Sequence, residues 1–183
     1  MEQKTVVQAA GVLKVLVTVV FAVNLLVLPL VPGLVFAKAE VRWTMLRSLF
    51  GGSGLKYFAL AWAGVWADPY AAMLTLFLLA CGVCTAVILW QGRRVLDTIL
   101  NEAPFCGANA GNLRRAAACC FLISAFALVR VVWGTWFFGS LRPLLTYCGL
   151  FVPVFLMAGL LCLVMSALFR QAAELKAEND LTI

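Results

Sequence analysis

Four long runs in this chain carry almost no charge, and they leave it few folds to choose from. Residues 15–37, 69–92 and 143–169 hold no charged side chain, and residues 116–138 hold one, Arg130. A helix needs about 20 apolar residues to cross roughly 30 Å of hydrocarbon, and each run meets that length. Of the 183 residues, 64% are hydrophobic and 12% charged, and the mean hydropathy is +1.03. A soluble domain is about half apolar and about a quarter charged. One compact core cannot absorb the excess, so lipid is the expected solvent for much of the surface. The reading is an all-α integral membrane protein, a single four-span domain over residues 1–183. Its spans cover about 14–36, 69–91, 115–138 and 144–169.

The stretch 91–115, QGRRVLDTILNEAPFCGANAGNLRR, is the one long polar interval between spans, and arginine pairs bracket it. If it and both termini share one side, that side holds Lys4, Lys14, Arg93, Arg94, Arg114, Arg115, Arg170 and Lys176. The other side holds Lys38, Arg42, Arg47, Lys56 and Arg142. The excess places both termini and the loop 91–115 on the cytosolic side. The net charge of +6 follows that topology and does not form a nucleic-acid patch; no direct nucleic-acid contact is expected.

Local signals place the element ends. Pro29 and Pro32 bend or end the first span near its outer side. The first apolar run exceeds the 7–15 residues of a secretory leader, so it reads as a span despite the Ala37-Lys38-Ala39 site. In the outer segment 38–67, Val41, Met45 and Leu49 follow helical spacing. Gly51, Gly52, Ser53 and Gly54 then break it, and residues 55–66 form a short interfacial helix, with a hairpin as the alternative. Asp68 and Pro69 read as N-cap and first position of the second span. Its helix continues past the membrane on an apolar face that includes Leu96 and Leu100 and stops at 101–104. Asn109 or Asn112 is expected to cap the third helix. Trp133, Trp136, Phe137 and Phe138 mark its outer end, and 139–143 form a tight turn. Pro153 falls inside the fourth span, whose helix keeps its spacing into a tail over 170–183.

Little catalytic chemistry is legible. Seven cysteines and no histidine are present. Cys81 and Cys84 form a CxxC, but inside an apolar run with no carboxylate nearby this reads as small helix filler and not as a metal or redox motif. No span contains Asp or Glu, so paired acids, a Ser/His dyad and metal hydrolysis are all unsupported. No catalytic residue, cofactor or metal is expected. Within the spans, Arg130 requires partners. Asp68, at the outer start of the second span, is its nearest acid in this topology, which predicts an Arg130–Asp68 pair.

Two inner stretches carry a resemblance. PFCGANAGNLRRAA, preceded by RRVLDTILNEA, resembles a signature of the domain-of-unknown-function 2975 family of bacterial membrane proteins. In that family a Pro-Phe pair, an Asn and a Leu-Arg pair lead into a helix; here these are Pro104, Phe105, Asn109 or Asn112, Leu113 and Arg114. The ending AAELKAENDLTI resembles that family's acidic C-terminal helix. The family supplies no established activity. The resemblance does imply a setting, since such proteins are often encoded beside a small helix-turn-helix regulator.

The leading functional expectation is a non-enzymatic membrane protein that binds a cytosolic protein, with that regulator as the candidate, through its inner face. The partner surface is expected to combine Arg93, Arg94, Leu96, Leu100, Phe105, Arg114 and Arg115 with Glu174, Glu178 and Asp180 of the tail. The alternative is a small transporter or channel subunit, which would need polar groups within the spans. Only Arg130, Asn24 and a few hydroxyls qualify.

Overall fold

A computed structural model describes residues 2–36, 54–101, 106–139 and 147–180. All the regular structure in these residues is helical. Helix α1 spans Glu2–Val27, followed by a 3₁₀ turn at Leu28–Leu30 and a short α2 at Val31–Phe36. Next come α3 (Gly54–Val65), α4 (Pro69–Leu100), α5 (Gly107–Phe138) and α6 (Tyr147–Asp180). Four helical segments are long and apolar enough to cross a membrane: α1 continuing into α2, and α4, α5 and α6.

The helix ends follow from local chemistry. At α4, the Asp68 carboxylate accepts the Tyr70 N–H at 3.0 Å, and Pro69 occupies the first turn, where its missing donor costs nothing. Asn101 caps its C-terminus, as the Asn-Glu-Ala-Pro sequence requires. Pro29 interrupts the first span, and the chain tightens there into the 3₁₀ turn. Gly139 ends α5 with φ 58°, a left-handed conformation that favours glycine. The segment Gly54–Val65 is a helix, α3; the Trp62 indole N–H donates to the Pro29 carbonyl at 3.3 Å and holds α3 against the turn. Helix α6 runs on as expected through Pro153 into the charged tail. The periodicity at 41–49, the turn at 140–143 and Phe105 lie outside the described residues.

One expectation at a helix end is not met. The N-cap of α5 is Cys106, with no side-chain hydrogen bond, and neither Asn109 nor Asn112 caps it. Both asparagines lie inside the helix and are buried. The helix starts earlier than its apolar pattern does, because Gly107 and Ala108 extend it outward.

Helix α5 is the centre of the packing. It is the most enclosed span, and its most extensive contacts are with α6 and then α4, while α1 packs on α4. Its buried face is built from small residues: Ala110, Ala116, Ala117, Cys120, Ser124, Ala127 and Gly134. Lipid removes the hydrophobic drive for helix association, so close approach and hydrogen bonds must hold the spans together. Ser124 Oγ donates to the Val152 carbonyl at 2.9 Å, and Ser166 Oγ to the Ala110 carbonyl at 2.7 Å; both tie α5 to α6. The outward faces of α1 and α6 expose runs of Val, Leu and Met, the surface that lipid covers.

These contacts fix which helix ends lie together. Lys14 meets Asp97, Thr98 meets Asn109, and Ala110 meets Ser166. The start of α1, the end of α4, the start of α5 and the end of α6 therefore share one end of the bundle, the terminal end. Tyr70, Trp133, Phe137 and Phe138 cluster at the opposite end, with successive ring centroids 5.0–6.4 Å apart.

Candidate functional site

The side chains singled out in the sequence fall into three places. The first is the level of the arginine pairs near the terminal end. The antiparallel register set by Thr98–Asn109 puts Arg93 and Arg94 on α4 within about one turn of Arg114 and Arg115 on α5. Arg94, Arg114 and Arg115 are exposed. Arg93 lies half-buried with its guanidinium 5.9 Å from the Phe21 ring of α1. Among the described residues the ion pairs are Lys14–Asp97 (2.8 Å) and Arg170–Glu174 (2.9 Å). Asp97 and Glu174 are thus paired with Lys14 and Arg170, and the four arginines enter no ion pair among the described residues. Leu96 is buried and Leu100 half-buried, so their apolar face packs within the bundle.

The second place is the tail. Ser166 sits level with Ala110, so Glu174 lies twelve helical residues beyond the level of Arg114, about 18 Å along the axis. Glu174 pairs with Arg170 of its own helix. The acidic tail therefore does not sit level with the arginine pairs. Instead the end of α6 projects past the ends of α4 and α5 as an arm, with residues 174–178 exposed. The sequence places both groups on one side of the membrane but cannot show this offset, because it depends on the register between α5 and α6.

The third place is Arg130, within the α5 span. Its guanidinium stands 5.0 Å from the Phe77 ring of α4, and Nη1 donates to Cys148 Sγ of α6 at 2.6 Å. Asp68 Oδ1 accepts the Tyr70 N–H at the α4 N-cap. The expected Arg130–Asp68 ion pair is not among the contacts formed. Eight residues separate Arg130 from the end of α5, roughly 12 Å of rise, and an aromatic face and a thiol lie closer. Arg130 thereby joins three helices at one height.

The thiols form no metal centre: among the described residues, no group of three or more His, Cys, Asp or Glu side chains is placed to hold an ion. All seven cysteines are free. Cys81, Cys84 and Cys148 belong to the buried cluster around Ile123 and Ala127, the packing role that small apolar filler implies. Sequence reasoning missed Asn109, which has 0% exposure and donates from Nδ2 to Thr98 Oγ1 at 2.6 Å. Its signal was an asparagine three residues inside a helix start, which reads equally well as a cap.

These observations define a class: an all-helical polytopic protein with four segments fit to cross a membrane, small-residue helix seams and a polar terminal end. The chain belongs to the family described as "Protein of unknown function (DUF2975)", whose model matches residues 5–183. No curated protein and no solved structure matches the chain.

Proposed function

We propose that this is a non-enzymatic protein of the bacterial inner membrane that holds a cytosolic protein partner on the projecting arm of α6. The observation that carries the reading is the arm itself. Residues 174–178 are exposed and stand beyond the ends of α4 and α5, and they include the exposed Leu175 between Glu174 and Glu178. An amphipathic helix with an apolar side chain and flanking acids suits a basic surface, and charge complementarity speeds such encounters. The resemblance to membrane proteins encoded beside helix-turn-helix regulators supports such a regulator as the partner. Held on the arm, its basic DNA-binding surface would be unavailable to DNA.

Truncation after Arg170 tests this. The shortened protein inserts at normal levels, the regulator leaves the membrane fraction, and its transcriptional output changes. Normal insertion with unchanged regulator location and output refutes the reading.

The orientation has its own test. Cys106, at the start of α5 and outside the apolar runs, should resist a membrane-impermeant maleimide in intact cells and react once they are opened. Replacement by serine should abolish that signal. Labelling of Cys106 in intact cells would put the arm on the outer side and end the cytosolic-partner model.

The transporter alternative would draw on side-chain oxygens of Asn24, Thr75 and Gln91, which are enclosed without a hydrogen-bond partner. Thr75 and Gln91 lie about 24 Å apart along α4, so they do not converge on one binding site. The arm therefore remains the better-supported feature.

A further inference from the structure

Two of the four arginines differ from the others in what lies beside them. Along the α4–α5 seam, Cys119 of α5 packs against the buried cluster that contains Cys84 of α4, which marks one flank of the helix pair. Arg115 is one turn from Cys119 on that flank, and Val87 is one turn from Cys84. Helical spacing then extends two stripes in opposite chain directions. On α4, Val83 and Val87 lead to Arg94 at intervals of four and seven. On α5, Phe126 and Leu122 lead to Arg115 at the same intervals. Val83, Leu122 and Phe126 are 53%, 49% and 38% exposed. The flank is therefore an apolar strip between two helices that ends in two exposed guanidiniums within about one turn of each other. Arg93 turns toward Phe21 on α1, and Arg114, 100° around α5 from Arg115, leaves this flank.

We propose that this flank is a binding site for an anionic glycerophospholipid. The headgroup phosphate sits between Arg94 and Arg115, and an acyl chain lies along Val83, Val87, Leu122 and Phe126. Three features select this occupant. The strip belongs to segments long and apolar enough to cross a membrane. The arginines stand at its polar limit, beyond Trp90. Neither arginine is paired with an acid among the described residues. Guanidinium forks match phosphate oxygens in geometry as well as charge. A free phosphate would satisfy the arginines and leave the apolar strip unused, so the lipid is the better fit.

The test is native mass spectrometry of the full-length protein, delipidated in detergent and then given phosphatidylglycerol or phosphatidylcholine. A basic side chain near an anionic headgroup is worth about fivefold in affinity, so the Arg94→Gln/Arg115→Gln variant should retain phosphatidylglycerol about 30-fold less well. The Arg93→Gln/Arg114→Gln variant loses the same charge and should retain the lipid as the parent does. Arg94→Lys/Arg115→Lys should fall between parent and glutamine variant, because it keeps the charge and loses the fork. Phosphatidylcholine should bind weakly to every variant, and inorganic phosphate should not displace bound phosphatidylglycerol. Equal losses in the two glutamine variants would show general attraction to basic charge and overturn the site. Displacement by inorganic phosphate, or equal retention of phosphatidylcholine, would overturn the lipid assignment.

Discussion

Valine at Gly159 should separate α6 from α5 and destabilise the protein by about 1–3 kcal/mol. A Cβ at this position would meet Phe121 Cε1 at 2.8 Å and Cδ1 and Cζ at 3.0 Å. The obstruction is a ring between two spans, and these spans form the most extensive helix contact of the fold. Alanine is the informative control. It adds only the Cβ and recovers up to about 1 kcal/mol of helix propensity relative to glycine, which offsets much of the strain of moving the ring. Gly159→Ala should therefore be near neutral, and Gly159→Val clearly worse. The buried thiols supply the readout, since Cys120 and Cys148 become reactive to a thiol-specific fluorophore as the bundle opens on heating. Shortening Phe121 to leucine should rescue Gly159→Val in a double-mutant cycle. If Gly159→Val melts with the parent, α5 and α6 are not in contact at this height.

Gly159 also shows what the sequence could and could not disclose. Small residues in the fourth span indicate close helix approach, but not which helix approaches or what fills the space. Some helix ends were legible because they rest on local chemistry: Asp68 before Pro69, and Pro29 at the 3₁₀ turn. The same is true of the helix at 54–65 and of the run of α6 into its tail. Contacts between spans were less legible, because nearly every outward residue is as apolar as the inward ones and the usual helix stripe is weak. Arg130 illustrates this. An intramembrane arginine advertises a need for partners, and the nearest acid in the chain was the natural choice. The structure instead supplies the Phe77 ring and the Cys148 thiol, two groups that look like ordinary span residues. The register that separates the arginine pairs from the acidic tail by about 18 Å lies in hydroxyl–carbonyl contacts such as Ser166 to Ala110, which the sequence does not disclose.

Asn109→Leu should loosen the junction of α4 and α5 by about 2–4 kcal/mol, the sum of a lost hydrogen bond and a misfit in a filled site. Asn109 has 0% exposure, and its Nδ2 bonds Thr98 Oγ1 at 2.6 Å across the helix pair. The Thr98 hydroxyl itself donates to the Val95 carbonyl at 2.7 Å. Thr98 is thus a relay, accepting from one helix and donating into its own, and leucine at 109 removes only the accepting half. Thr98→Val removes both halves and leaves the asparagine amide enclosed without this acceptor, so it should also destabilise. The double variant Thr98→Val/Asn109→Leu replaces both polar partners with apolar groups and should cost less than the two single changes together. The effect should be local as well as energetic. Hydrogen exchange should quicken around 98–101 and at the start of α5, while the aromatic cluster at Tyr70 and Trp133 keeps its protection. Strict additivity of the two changes, or faster exchange at both ends of α4 alike, would show that the Thr98–Asn109 contact does not hold this end of the bundle together.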